Sequence, residues 1–286
     1  MNSPQAALSP GLYLVATPIG SARDITLRAL DVLAVADVIA AEDTRSLRRL
    51  MEIHGIAAGG RRLVAFHDHS DAAVAGRLVE EAQAGRSVAY ASEAGTPLVS
   101  DPGYELVRAA IAAGVPVTAV PGASALLAGL VVAGLPTDRF LFAGFLPAQG
   151  AARGAAIAEL RGVVATLVFF ESPRRLGATL YDLAQGLGTG RPAVVARELT
   201  KRFEEVVRGT LGGLAARYAQ EEVKGEVVLM VGHAAQVAAD PEAIRAALAE
   251  AMGRMRMRDA ATAVAGAMGL PRRTVYQIAL GMAGQD

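Results

Sequence analysis

Four short stretches, each directly after an apolar run, hold the residues best suited to bind a small polar molecule. They are TPIG at 17–20, EDTR at 42–45, SEAGTPLVSDPG at 92–103 and PGASA at 121–125. Three of the four are Gly/Pro loops, in which main chain can come close to a ligand and offer amide donors and carbonyl acceptors. SEAGTPLVSDPG is the most unusual. Gly95, Pro97, Pro102 and Gly103 punctuate it, so neither a helix nor a central strand can continue through it. A strand normally passes to a helix in about two to six residues, so the extra length asks for a role beyond turning.

Other chemistries lack their residues. There is no cysteine, which removes disulfides, thiolate metal sites and thiol nucleophiles. No GxGxxG follows the first apolar run, and no GxxxxGK[ST] occurs anywhere. His67, Asp68 and His69 in FHDHSD alternate at a strand end and face opposite ways, so they read as loop residues rather than a metal-ligand set. No Ser-His-Asp order or GxSxG elbow can be assembled.

The elements that must position these loops follow a βαβ rhythm. LYLVA, VIAAE, RLVAFH, SVAYA and VTAVP alternate with helical segments such as ITLRALDVLAVAD, and their continuous apolar character predicts a parallel sheet covered on both faces. A second series contains FLFAGF, TLVFFES, PAVVARELT, EEVVRGTL and EVVLMVG. No long helix separates PAVVARELT from EEVVRGTL, which predicts a mixed sheet. From about Asp240 only short helices are expected: PEAIRAALAEAM, RDAATAVAGAMG and PRRTVYQIAL. The reading is therefore α/β, with a first lobe over 1–122, a second over 123–236 and a helical extension over 237–286.

At 286 residues, 52% hydrophobic and 20% charged, the chain can bury a sizeable core. The amino terminus has no basic side chain before Arg23, so it does not resemble a signal peptide. The longest apolar run, ALLAGLVVAGL, has 11 residues, too few to span a bilayer. A cytoplasmic protein is expected. Lys plus Arg equals Asp plus Glu at 28 each, which leaves local basic patches rather than a chain-wide polyanion surface.

The blocks LYLVATPIG, RDITLRAL, ADVIAAEDTR, EAGTPLVSDPG, VPGASA, GFLP, FFESPRRL and RELTKRFEE resemble, in order, the diagnostic blocks of the tetrapyrrole methylase superfamily. Within it they match the branch that modifies small-subunit ribosomal RNA. The resemblance runs from residue 11 to about 232, and AATAVAGAMGLPRRTVYQIAL is similar to that branch's helical extension. It implies a two-lobed fold, a homodimer, and methyl transfer from S-adenosylmethionine to the ribose 2′-hydroxyl of a decoding-centre cytidine of 16S rRNA in the 30S subunit. It places Gly95 and Thr96 against the cofactor, with Ser124 and Ala125 across from them. Pro18, Ala94 and Leu146 join that set. Asp101 lies on the same loop, in a sequence suited to an Asp-capped turn. Glu93 stands where the family usually has Asp, and is expected to face the cofactor's polar end. Ser21-Ala22 and Arg174 also depart from the family pattern, which has Asn-Leu and His.

Methyl transfer to a hydroxyl requires alignment of oxygen, methyl and sulfur, and assistance from a proton acceptor or a cation that stabilises the developing alkoxide. Charged residues at strand ends supply the candidates: Glu42, Asp43 and Arg45; Glu171 and Arg174; Arg197, Glu198 and Lys201. Arg45 or Lys201 is expected to stabilise the alkoxide, and Glu42 or Glu198 to accept the proton. Phosphate contacts are expected from Arg45, Arg48 and Arg49, from Arg174 and Arg175, and from Lys201 and Arg202, with a steep salt dependence. The tail from Gly253 carries five Arg against two Asp, and reads either as a phosphate-positioning unit or as a dimer contact. Two other functions compete: a tetrapyrrole ring-carbon methyltransferase, and a non-catalytic assembly factor that senses S-adenosylmethionine.

Overall fold

Uninterrupted apolar runs such as VIAA and SVAYA need cover on both sides. In the computed structural model they lie at the centre of a five-stranded sheet and are buried at every residue. The structure describes residues 7–67, 72–221, 223–233, 241–268, 270 and 272–283; Asp68 and His69 lie outside them. The sheet comprises β1 (Gly11–Val15), β2 (Val38–Ala41), β3 (Arg62–Ala65), β4 (Ser87–Ala91) and β5 (Val117–Val120), in the order β3-β2-β4-β1-β5. Every pairing is parallel, as the sequence predicts. Helices α1 (Leu27–Val35) and α2 (Thr44–Ile53) cover one face through Val32, Leu33, Leu47 and Met51. Helices α3 (Ala72–Gln83) and α4 (Tyr104–Ala112) cover the other through Leu78, Val79 and Leu106. Neighbours β1 and β4 thus lead to helices on opposite faces, and the crevice beyond their carboxyl ends is where an open α/β sheet takes ligands.

Helix starts follow local side-chain chemistry. The Thr26 hydroxyl accepts the Ala29 amide at the start of α1, and the Asp43 carboxylate accepts the Arg45 amide at the start of α2.

The second sheet has the order β6-β7-β10-β8-β9, from β6 (Phe140–Phe145), β7 (Thr166–Glu171), β8 (Pro192–Arg197), β9 (Glu205–Thr210) and β10 (Val227–Val231). β6 and β7 are parallel, whereas β10 runs antiparallel to β7 and β8, and β9 antiparallel to β8. The predicted mixed sheet is borne out. Helix α5 (Ala125–Ala133) packs on it through Leu126 and Leu130, against Val168, Val194, Val228 and Met230. Helices α6 (Gly150–Leu160), α7 (Leu176–Leu187) and α8 (Leu211–Tyr218) pack in a row.

Helices α9 (Pro241–Met252), α10 (Met257–Met268) and α11 (Arg272–Ala283) match the three predicted segments and have a core of their own, including Ile244, Leu248, Val264 and Val275. The chain falls into two compact units, one carrying both sheets over residues up to Arg161 and Ala165–Gly232, the other made of Gly162–Val164 and the residues from His233 on, which hold α9, α10 and α11. Among the described residues no helix is long and apolar enough to cross a membrane.

Candidate active site

The loop after β1 and the loop after β4 are stitched together across the crevice. Thr17 N donates to the Gly95 carbonyl at 2.9 Å, and Gly95 N donates back at 3.0 Å. Buried hydroxyls tighten the join: Ser92 Oγ donates to the Gly95 carbonyl at 2.6 Å, and Thr17 Oγ1 to the Ser92 carbonyl at 3.2 Å. Thr96 Oγ1 then reaches the loop after β5, donating to the Ala123 carbonyl at 3.0 Å. Gly95 sits at φ +86°, and a Cβ there would lie 3.2 Å from Ile19 Cγ2. Leu98 and Ser100, at φ 71° and 63°, also hold left-handed conformations, which cost about 1–3 kcal/mol each for non-glycine residues and concentrate at functional loops. The surplus length of SEAGTPLVSDPG is thus spent on a preorganised wall.

That wall closes one side of a cavity of about 360 Å³, within the range of small-molecule sites. Ala94, Gly95, Thr96, Asp101, Ser124 and Ala125 line it together with Ile19, Val99 and Ser100. The second sheet supplies the facing side through Phe145, Phe170, Glu171, Ser172, Pro173, Ala196, Leu199 and the stretch Gly225–Val228. Such a mixture of small, apolar and carboxylate groups suits a ligand that carries both an apolar ring and charged ends.

Glu171 is buried yet fully bonded. It accepts Arg175 Nε at 2.8 Å and Nη2 at 3.0 Å, the Ser172 amide at 2.7 Å and Thr179 Oγ1 at 2.6 Å. Its hydrogen bonds to Arg175 hold that guanidinium's pKa above the usual value. Arg175 Nη2 also donates to the Leu146 carbonyl at 2.8 Å, so the end of β6 is tied to the end of β7. The turn after β8 makes the other fixed point. Lys201 Nζ bonds Glu198 Oε1 at 3.0 Å and Glu226 Oε2 at 2.9 Å, and Thr200 Oγ1 accepts the Ser21 amide at 3.1 Å. Gly20 is required there, because a Cβ would lie 2.5 Å from Lys201 Cγ.

Not every expected residue reaches the cavity. Leu146 is buried and contributes its carbonyl to Arg175; Pro18 flanks the lining residue Ile19 without lining the cavity itself. Arg45 is 89% exposed on its side chain and touches Asp43 at 3.5 Å. Glu42 Oε2 accepts the Glu93 amide at 3.2 Å, joining the strand ends of β2 and β4. Burial alone would lower the Lys201 pKa, but hydrogen bonds to Glu226 and Glu198 and their charges raise it. Burial alone would raise that of Glu198, but Lys201 and the Glu226 amide lower it.

The Glu93 side chain is exposed beside the cavity residue Ala94. Partial burial raises its pKa, and the charges of Glu42, Asp43 and Glu226 add to that. An acid whose pKa is raised by folding stabilises the fold only while protonated, and this contribution is lost as pH rises through its folded pKa. E93Q, a permanently neutral substitute, should therefore melt higher than wild type at pH 7–8. The gain should shrink as pH falls through the carboxylate range and the wild-type side chain takes up its proton; equal melting curves at pH 7–8 would remove the repulsion.

Phe145, Phe170, Ser172, Gly225 and Glu226 also line the cavity and are not among the residues that the sequence singles out. Gly225 and Glu226 precede β10, which is antiparallel, so the amino end of β10 lies beside the carboxyl ends of β7 and β8: Val227 pairs with both Glu171 and Arg197. Only the pairing pattern reveals this.

Comparison with known proteins adds a family to this geometry. The profile of the Tetrapyrrole (Corrin/Porphyrin) Methylases matches residues 11–215, and that of the RsmI C-terminal HTH domain matches residues 238–283. Proteins named ribosomal RNA small subunit methyltransferase I are 48% identical over 275 residues in Mesorhizobium japonicum, covering 96% of this chain and 92% of that one, and 46% identical over 270 residues in Mycobacterium tuberculosis, covering 94% of each. A solved uroporphyrin-III-C-methyltransferase from Thermus thermophilus superposes with a TM-score of 0.56 at 25% identity, over 78% of this chain and 94% of that one. A structure of uroporphyrin-III C-methyltransferase from the same organism, complexed with S-adenosylhomocysteine, gives a TM-score of 0.54 at 24% identity, over 79% of this chain and 99% of that one.

Proposed function

This chain belongs to the tetrapyrrole (corrin/porphyrin) methylases and is an S-adenosylmethionine-dependent methyltransferase of ribosomal RNA, and from that premise we propose that it methylates the ribose 2′-hydroxyl of cytidine 1402 in 16S rRNA, within the 30S subunit in the cytoplasm. The observation that carries the cofactor's place is the stitched loop pair Thr17–Gly95 opening onto the 360 Å³ cavity. In this reading Gly95, Thr96, Ser124 and Ala125 hold S-adenosylmethionine, with Ala94 and Asp101 completing that wall. When bound, the cofactor supplies an electrophilic methyl group on a sulfonium.

The chain's own residues orient the acceptor and manage its proton. Lys201, kept protonated by its two carboxylates, stands beside the cavity residue Glu226 and is favoured over outward-facing Arg45 as the cation for the developing alkoxide. Glu198 is committed to Lys201 and to the Glu226 amide, and its lowered pKa makes it a poor proton acceptor, which leaves that role to Glu42. The test incubates the purified chain with labelled S-adenosylmethionine and 30S subunits lacking the modification, followed by mass spectrometry of a 16S rRNA digest. A mass gain on the cytidine ribose is expected. Methyl transfer to a tetrapyrrole and none to RNA would overturn the reading.

The proposed assembly is a homodimer. Helix α5 is apolar all round, yet only Leu126, Gly129, Leu130 and Ala133 are buried, while Leu127 and Val131 stand exposed. A helix hydrophobic on every side is normally covered on every side. A second copy of the chain provides that cover, and a one-chain mass by light scattering at micromolar concentration would exclude it.

A further inference from the structure

β6 carries a bulge just before it reaches the cavity. Phe142 pairs with Val168 and Gly144 with Phe169, so Ala143 is the extra residue, and Gly144 takes φ +63°. A bulge re-aims the side chains around it and recurs beside active sites. Here the side chain that follows is Phe145, which lines the cavity while remaining 57% exposed. Single exposed apolar side chains are ordinary on protein surfaces; this ring differs in opening onto the cavity.

The ring is also braced. Phe170 meets it edge-on, with centroids 5.8 Å apart and planes at 65°, and is itself packed on Phe142 at 4.9 Å. The next residue, Leu146, is buried, and its carbonyl is held by Arg175, which is locked onto buried Glu171. A bulge in front, an anchor behind and an aromatic neighbour at the side fix Phe145 in place without covering it. Preorganisation of this kind strengthens binding by reducing the ordering cost.

We propose that Phe145 is a stacking platform for a nucleobase of the RNA substrate, positioning the target nucleotide so that its ribose faces the cavity. The proposal rests on the reading of the chain as an RNA methyltransferase. Unstacked RNA bases are commonly received on aromatic side chains. Every base has a π-face, so such a platform positions a nucleotide without reading its identity. The adenine of the cofactor has the same chemistry, and separate binding and turnover measurements tell the two sources apart.

The experiment uses the full chain with F145A, F145L and F145W, measuring the S-adenosylmethionine dissociation constant by calorimetry and kcat/KM on unmethylated 30S subunits. For F145A the dissociation constant should stay within about 2-fold, while kcat/KM falls about 10- to 100-fold, the range of one lost base–aromatic stack. F145W should recover most of the activity, and F145L, apolar but not aromatic, should not. A cofactor affinity that falls in step with kcat/KM would assign the ring to adenine and overturn the proposal. F145L as active as wild type would reduce Phe145 to an apolar spacer and overturn it equally. No transfer to 30S subunits by wild type would instead sink the substrate reading beneath it.

Discussion

Replacing Arg175 with alanine should destabilise the protein by about 3–5 kcal/mol, the cost of leaving one member of a buried ion pair without its partner. Glu171 is 1% exposed on its side chain, and two of the four hydrogen bonds it accepts come from Arg175. Without the guanidinium the carboxylate retains Ser172 N and Thr179 Oγ1 but no positive charge. Denaturant unfolding of R175A checks the magnitude. The double variant E171L/R175M, which removes both charges and fills much of the space, should recover most of the loss, since apolar replacement of a whole buried pair is often close to neutral. A change below about 0.5 kcal/mol for R175A, the level of an ordinary surface substitution, would show that the pair is hydrated rather than buried.

Replacing Lys201 with alanine should lower kcat by about 100-fold, comparable to the loss of one preorganised stabiliser of transition-state charge. Affinity for S-adenosylmethionine should hold, because Lys201 does not line the cavity and its removal takes positive charge away from a cationic ligand. Some stability should go too, since Glu198 and Glu226 share the same ammonium and would be left facing each other. Stability alone does not define the role. The deciding comparison is K201A against K201M in single-turnover transfer to 30S subunits: both lose the charge, and both should be slow. Full turnover with a lowered melting temperature would make Lys201 an ion-pair residue and return the alkoxide to Arg45.

The effects of Arg175 and Lys201 differ in how far the sequence foretold them. Both belong to charged blocks that stand out at strand ends, FFESPRRL and RELTKRFEE. The types of both were legible, and the role proposed for Lys201 is the one its sequence position suggests, whereas the ion pair of Arg175 is not visible there. Arg175 reads in sequence as a phosphate contact, yet it spends its donors on Glu171 and on the Leu146 carbonyl. Glu198 reads as a base, yet it lies under Lys201 at a left-handed position, where Gly225 leaves room for its carboxylate.

The sequence by itself determined the elements and one wall of the site. Short apolar runs of four or five residues bounded by turn residues fit strands covered on both faces, Gly and Pro end such runs in turns, and ligand loops follow parallel strands. Hence TPIG, SEAGTPLVSDPG and PGASA could be placed together before any contact was known. Tertiary structure alone decided the part of the opposite wall that Gly225–Val228 supply. β10 runs antiparallel between β7 and β8, so the residues that reach the cavity come before that strand, and a rule written for parallel strands looks at the wrong end of it. The direction of Phe145 was hidden for a related reason. A one-residue bulge inverts which side chains face which way; Gly144 in FLFAGF hints at one, but which residue is extra is defined by the register of the neighbouring strand.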